Sequence, residues 1–358
     1  MWGKSVTVSL FGESHGSAVG VNIAGLPAGI ALDFQEIQAE MRRRAPGFDA
    51  LSTPRREADE PEILSGYFNG FSTGAPLCAL IRNQDARAQD YEALKNVMRP
   101  GHADYTAYVK HNGFQDHRGG GHFSGRLTAP LVFAGAICKQ ILAQKNIVIG
   151  AHVRRIHDVS DVAFDADDLT ADRLASLRAC AFPVLNPEKG EKMQQRILEA
   201  KAAGDSVGGV VECAIVGLDS GIGLPFFDSV ESTIAHLAFS IPAMKGIEFG
   251  TGFALAKRRG SEVNDPFYYD EGGTVKTRTN HNGGVLGGIT TGMPIVFSCA
   301  FKPTPSIAKA QTTIDVAAQK QASLQIKGRH DPCLVLRALP VVEAVAAIAV
   351  LELMKRSV

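Results

Sequence analysis

The sequence predicts an α/β fold built from two similar halves, each a sheet with its own helices. An internal echo carries that expectation. NGFSTGAPLCAL at 69–80 is repeated as GGITTGMPIVFS at 287–298, pairing Gly70 with Gly288, Ser72 with Thr290, Thr73 with Thr291, Gly74 with Gly292, Pro76 with Pro294 and Leu77 with Ile295. A second echo relates VNIAGLPAGIALDFQEI to VVECAIVGLDSGIGLPFFDSVESTI, each reading as a strand, a Gly/Pro turn and a capped helix. Turn chemistry alone can produce a Thr-Gly-x-Pro match, because Gly and Pro are common turn residues. Two echoes in the same order favour duplication. The expected architecture is a single domain with pseudo-twofold halves at about 1–150 and 206–358.

The elements follow from local pattern. SVTVSLF at 5–11 alternates apolar and polar, a strand signal, and breaks at GESHG. AVGVNIAGL reads as the next strand, and Asp33 as the N-cap of DFQEIQAEMRRR. Strands are expected at 62–66 and 76–83. An almost wholly apolar helix spans 125–144, with Pro130 tolerated in its first turn. A polar region with a helix near 189–203 precedes the strand GGVVECAIVGL and a helix DSVESTIAHLAFS, capped by Asp228. Strands return at 285–301, and VVEAVAAIAVLELMKRS closes the chain as a helix.

Composition narrows the function classes. Lys+Arg and Asp+Glu both number 37, so no global charge points to nucleic acid or an anionic membrane. No apolar run of membrane-spanning length is free of charge, and the N-terminus lacks a signal peptide's pattern. The six cysteines form no CxxC pair, which suits reduced core thiols in a cytoplasmic protein and argues against a zinc site. HExxH, GxSxG, Walker A and a strand-borne GxGxxG are all absent. No metal is expected.

Chemistry concentrates in four clusters. GESHG presents Ser14 and His15 between glycines. The run Arg42–Arg44 can either complement a helix C-terminus or clamp a carboxylate or phosphate. The stretch 99–126 holds Arg99, Arg118, Arg126 and four histidines (102, 111, 117 and 122) around Gly119–Gly121, which could supply backbone N–H groups at the start of the core helix. The fourth cluster is distributed over 279–284, 302–306 and 327–331, with Asp331 a base candidate beside Arg329 and His330. Together they suggest an anionic-ligand site with proton-transfer capacity.

These motifs resemble the chorismate synthase family. The matching segments are FGESHG, RRRAPG, RPGHADYT, RGGG, MKGIEFGTGF, GGVLGGITTG, FKPTPSI and KGRHDPC, in the family's order and over nearly the whole chain. The resemblance implies a pseudo-twofold β-α-β sandwich with helices packed between sheets. It implies a 1,4-anti elimination of phosphate from 5-enolpyruvylshikimate 3-phosphate to chorismate, with reduced FMN as cofactor. His15, His102 and Asp331 are then the expected catalytic residues. Ser14, Arg44, Arg99 and Arg126 are expected at the substrate. Ser124, Pro242, Ala243, Gly287, Lys302, Pro303, Thr304, Pro305, Ser306 and Arg329 are expected at the flavin. The resemblance also implies a homotetramer. No NAD(P)H domain or long insertion is visible, so an external flavin reductant is expected.

The chain departs from the family where GGGRSSARET becomes GGGHFSGRLTAP. His122 and Phe123 replace an Arg and a Ser, and Gly125 and Leu127 replace Ala and Glu. Ala50 stands where a second loop Arg is common. These departures keep two alternatives open: another reduced-flavin-dependent phosphate lyase, or a non-catalytic flavin-binding paralogue.

Overall fold

The computed structural model describes residues 1–46, 51–52, 59–84, 95–166, 168–326 and 331–357. The first half runs β1 (Thr7–Gly12), β2 (Ala18–Ala24), α1 (Phe34–Arg44), β3 (Pro61–Ser65), a hairpin of β4 (Tyr67–Phe68) and β5 (Phe71–Ser72), β6 (Leu77–Arg82), α2 (Asp104–Lys110) and α3 (Thr128–Ala143). Next come β7 (Val148–Ile156), β8 (Val159–Ser160), α4 (Ala171–Ala179), α5 (Pro187–Ala202), β9 (Gly209–Val216), α6 (Val230–Ala238), β10 (Met244–Phe249) and α7 (Gly260–Val263). The remainder is β11 (Phe267–Tyr269), β12 (Val275–Thr277), β13 (Val285–Leu286), β14 (Ile289–Thr290), β15 (Ile295–Phe301), β16 (Gln311–Asp315), β17 (Lys320–Leu324) and α8 (Val335–Arg356).

Two antiparallel sheets enclose the helices. One has the order β1-β2-β6-β3, the other β10-β15-β9-β7-β8. Helix α3 packs against the first sheet and α6 and α8 against the second, α1 packs on α3 and α8, and α3 meets α8 in the middle. That contact is close because Gly135 has no side chain: a Cβ there would lie 2.2 Å from that of Ala344. Burial on both sides explains why α3 is apolar around its circumference, from Thr128 through Cys138 and again at Ile141 and Leu142. With the turn before it, this segment is apolar enough over 19 residues to cross a membrane by composition, yet it lies inside the core.

The echo is visible in hydrogen bonds. Ser72 Oγ donates to Pro27 O and accepts from Ile30 N; Thr290 Oγ1 donates to Asp219 O and accepts from Ile222 N. Thr73 N donates to Gly66 O, and Thr291 N to Gly284 O. The strand order β1-β2-β6-β3 repeats as β7-β9-β15-β10. In this order Val148–Ile156 stands where β1 stands in the first sheet, and residues 158–205 run between β7 and β9.

Several ends differ from expectation. Asp33 does cap α1, accepting from Gln35 N and Glu36 N. The cap of α6, however, is Ser229, because Asp228 is drawn to Lys4 and Arg356. Helix α8 begins at Val335, six residues before 341, and carries Pro340 inside it; the ring removes one backbone donor, and the following turns are fully buried. The two helical layers also share a buried charge cluster, in which Glu343 accepts from Arg43 at 2.7 Å and from Lys139, and both cations also reach Glu40.

Candidate active site

A cavity of about 800 Å³ opens between the helical layer and the loops of both halves. Ser14, Arg44, Arg99, His102, Ser124, Arg126, Pro242, Ala243, Lys302, Thr304, Pro305, Ser306 and Asp331 all line it. Residues far apart in sequence thus converge on one concave surface, the usual form of a small-molecule site. His15, Pro303 and Gly287 are not among the lining residues: His15 lies one layer behind, Pro303 is exposed, and Gly287 sits in the β13–β14 turn. Arg329, His330, Lys327 and Ala50 fall outside the described residues.

Gly119, Gly120 and Gly121 take φ of +59°, +85° and +53°, a left-handed run that favours glycine. They do not form the N-terminus of the core helix; α3 starts at Thr128, after a short turn capped by Ser124. The reason for three glycines is steric. A Cβ on Gly119 would meet His15 Cε1 at 2.2 Å, and one on Gly120 would meet His102 Cε1 at 2.9 Å. The ribbon therefore lets two imidazoles pack against bare backbone. Ser14 N donates to Gly121 O at 3.1 Å, tying the GESHG loop to it.

Asp104 organises the first charged group. Its carboxylate accepts from Arg99 Nε at 2.7 Å and Arg99 Nη2 at 2.8 Å, and lies 2.6 Å from His102 Nδ1. Burial opposes the Asp104 charge, but these partners outweigh it and hold the carboxyl well below its ordinary range. An ionised oxygen so close to Nδ1 requires a proton there, so the neutral ring carries Nδ1–H and presents Nε2 as its lone pair. The 3.1 Å approach of Arg99 Nη2 to Nδ1 is then a by-contact, since that Nη2 donates to Asp104. Burial, joined by the Arg99 and Lys302 charges, lowers the His102 pKa in spite of Asp104, so the ring is neutral at pH 7.

A second group joins Arg44 and Arg126. Arg44 Nη1 donates to Asp59 Oδ2 at 2.6 Å, and Arg126 Nη1 donates to Oδ1 of the same carboxylate. Burial would raise the Asp59 pKa, but the two guanidinium charges overcome it and lower it. Arg126 also reaches Asn83 Oδ1 at 2.9 Å, and Asn83 Nδ2 donates to Glu13 O and Gly16 O, linking this arginine to the GESHG loop. The triple-arginine run thus divides: Arg42 is exposed, Arg43 joins the buried cluster, and only Arg44 reaches the cavity.

The far wall comes from the second half and α8. Arg337, on the turn of α8 that begins before Pro340, donates to Asp331 and through Nε to Arg44 O at 3.1 Å. Lys302 Nζ donates to Gly101 O, and Ser306 Oγ accepts from Arg99 Nη1 at 3.3 Å. Ala243 has φ +69°, and its carbonyl accepts from Lys302 N at 3.0 Å. Thr304 Oγ1 is buried with no hydrogen-bond partner among the described residues.

The sequence reading assigns no role to Asp59, Asn83, Asp104 or Arg337. Asp104 had a signal, an acid two residues after His102 within RPGHADYT. His111 is exposed at the end of α2, and Arg118 pairs with Asp116. The fourth cluster separates, because Thr279, Asn280 and His281 line a different cavity of about 860 Å³ on the second sheet. That cavity is the larger, but it contains none of the expected catalytic residues.

The family model for chorismate synthase matches residues 6–354. The chorismate synthase of Thermococcus gammatolerans is 48% identical over 348 residues, covering 97% of this chain and 95% of the relative. That of Chitinophaga pinensis is 47% identical over 353 residues, covering 99% and 96%. A crystal structure of a chorismate synthase superposes with a TM-score of 0.77 at 29% identity, covering 99% of this chain and 93% of that one. Sequence and fold agree over the full length, and the chain belongs to the chorismate synthase family.

Proposed function

We propose that the cavity converts 5-enolpyruvylshikimate 3-phosphate to chorismate and inorganic phosphate by 1,4-anti elimination, with reduced FMN as the cofactor. As a member of its family the chain is a carbon–oxygen lyase acting on phosphates. The observation that carries the assignment is the convergence of Arg44, Arg99, Arg126, Lys302 and Arg337 on one cavity that also holds His102 and Asp331. A substrate with two carboxylates and a phosphate needs such cations in a chain with no net charge.

The residues present suit FMN. Among the described residues Thr304 Oγ1 is a buried hydroxyl with no hydrogen-bond partner, and Ser124, Ser306, Pro242 and Ala243 line the same cavity. Ser124, Pro242, Ala243, Lys302, Thr304, Pro305 and Ser306 would hold it; Gly287, Pro303 and Arg329 remain the resemblance's assignments. When bound, reduced FMN supplies electron density that assists phosphate departure and accepts the ring hydrogen.

The protein's own part is charge and proton control. Arg44, Arg99 and Arg126, with Ser14, bind and orient the anionic groups. His102 exchanges a proton at Nε2, its other nitrogen being committed to Asp104. Ser14 is the group of the GESHG loop at the cavity; His15 lies behind Gly119, and its assignment to the departing phosphate remains the resemblance's. Asp331, its carboxylate held by Arg337, is the base that finally takes up the ring hydrogen as a proton.

The wider reading is a homotetramer using an external flavin reductant in the cytoplasm. Phe226 and Phe227 are 86% and 93% exposed, which suits burial between subunits, and six free cysteines suit a reducing compartment. Titration with FMN tests the cofactor assignment: Thr304→Val and Ser306→Ala should each weaken binding, and unchanged affinity in both removes that wall from the flavin site.

A further inference from the structure

Arg44 and Arg126 approach the cavity from different elements, one at the end of α1 and the other in the turn before α3. Both end on Asp59, which is only 3% exposed and does not itself line the cavity. The carboxylate therefore grips the two guanidiniums from behind. Other donors are committed to orientation as well: Arg44 Nε to Thr128 Oγ1 at 3.1 Å, Arg126 Nε to Asn83 Oδ1 at 2.9 Å and Arg126 Nη2 to Arg82 O at 3.3 Å. Asp59 holds φ +49°, a left-handed conformation uncommon for a residue with a side chain. Such a backbone persists where the surroundings enforce it, commonly at binding sites.

Two guanidiniums packed together in a buried site repel and lose hydration unless an anion joins them. A ligand anion would meet both needs, but it would then be held too tightly to leave. We propose that Asp59 is the resident counter-ion of a two-arginine anion fork. It keeps Arg44 and Arg126 in register while the cavity is empty and halves their joint charge, so that an anionic ligand group binds reversibly. Asp59 is a positioning residue, acting through the arginines. The proposal rests on reading the cavity as the polyanion lyase site.

Calorimetric titration with inorganic phosphate tests it on the full chain. Arg44→Gln and Arg126→Gln should weaken phosphate binding relative to wild type. Asp59→Asn should tighten it by about tenfold and make it more sensitive to NaCl, because a carboxylate bonded to both cations has gone. In turnover the same variant should show lower KM and lower kcat, with stronger inhibition by product phosphate. A residue that only supports the fold would give the opposite, weaker binding. Should Asp59→Asn be unstable alone, phosphate should raise its thermal midpoint more steeply than that of wild type, by occupying the vacated position. Phosphate affinity in Asp59→Asn equal to or below wild type, with no larger thermal response, overturns the proposal alone. Wild-type affinity in both arginine variants overturns the site reading, and the proposal with it.

Discussion

Replacing Asp104 with Asn isolates the protein's control of His102. The carboxylate accepts from Arg99 N at 3.2 Å, Arg99 Nε at 2.7 Å and Arg99 Nη2 at 2.8 Å, and from His102 Nδ1 at 2.6 Å. An amide of the same shape puts its oxygen at the Oδ2 position, where Arg99 N and Nε both donate, and its NH₂ at the Oδ1 position, where it meets only one Arg99 donor, Nη2, beside His102 Nδ1. Its NH₂ then faces His102, which forces Nδ1 to accept and moves the ring proton to Nε2. Exchanging charge-assisted bonds for neutral ones at roughly 1 kcal/mol each should cost about 2–4 kcal/mol of stability. The rate effect is larger, since a misplaced proton removes an acid–base contribution of roughly 10²–10⁴-fold. Anaerobic phosphate-release assays should show kcat falling within that range. Imidazole ¹⁵N shifts should show the tautomer reversed, and the His102 pKa should fall further, because Asp104 is a group that raises it. A variant that retains the Nδ1–H tautomer and wild-type kcat would refute this account of the dyad.

Gly120→Ala places a methyl 2.9 Å from His102 Cε1 at a φ of +85°; strain of about 1–2 kcal/mol should leave the protein folded while activity falls at least roughly tenfold, as circular dichroism and turnover together will show. His152 is fully buried, 2.8 Å from Glu212 Oε2 and 3.4 Å from Asp161 Oδ2. Burial lowers its pKa, but the two carboxylates outweigh that and raise it above the ordinary value near 6.5. Its stabilisation is complete below the unfolded-state pKa and is lost as pH rises through the folded one. Thermal midpoints should therefore decline from about pH 6.5 upward, and His152→Gln should remove that component; an unchanged pH profile would exclude it.

Much of the fold was legible because it depends on local pattern. Alternation marked β1, a short apolar run marked β2, Asp33 marked the start of α1, and the all-round apolar run marked α3. The echo paired Ser72 with Thr290, and the two hydroxyls make equivalent hydrogen bonds. Expectation failed where distant partners decide. Asp228 and Ser229 are both good caps, and only the pairing of Asp228 with Lys4 and Arg356 selects Ser229. The closing helix was expected from 341, yet α8 begins at Val335 and thereby delivers Arg337 to Asp331.

The site divides in the same way. Arg44, Arg99, His102, Arg126, Lys302 and Asp331 stood out by residue type and motif, and one cavity gathers them. Asp59 lay unremarked in a polar stretch because its role depends on two arginines, 15 and 67 residues away. The three glycines suggested a helix N-terminus. Their left-handed geometry instead shows a ribbon thinned for His15 and His102.

The most direct measurement is anaerobic incubation of the purified protein with 5-enolpyruvylshikimate 3-phosphate and photoreduced FMN. Chorismate and phosphate should appear in equal amounts, over many turnovers, with no net flavin oxidation. Absence of chorismate, or consumption of one reduced flavin for each phosphate released, would contradict the account.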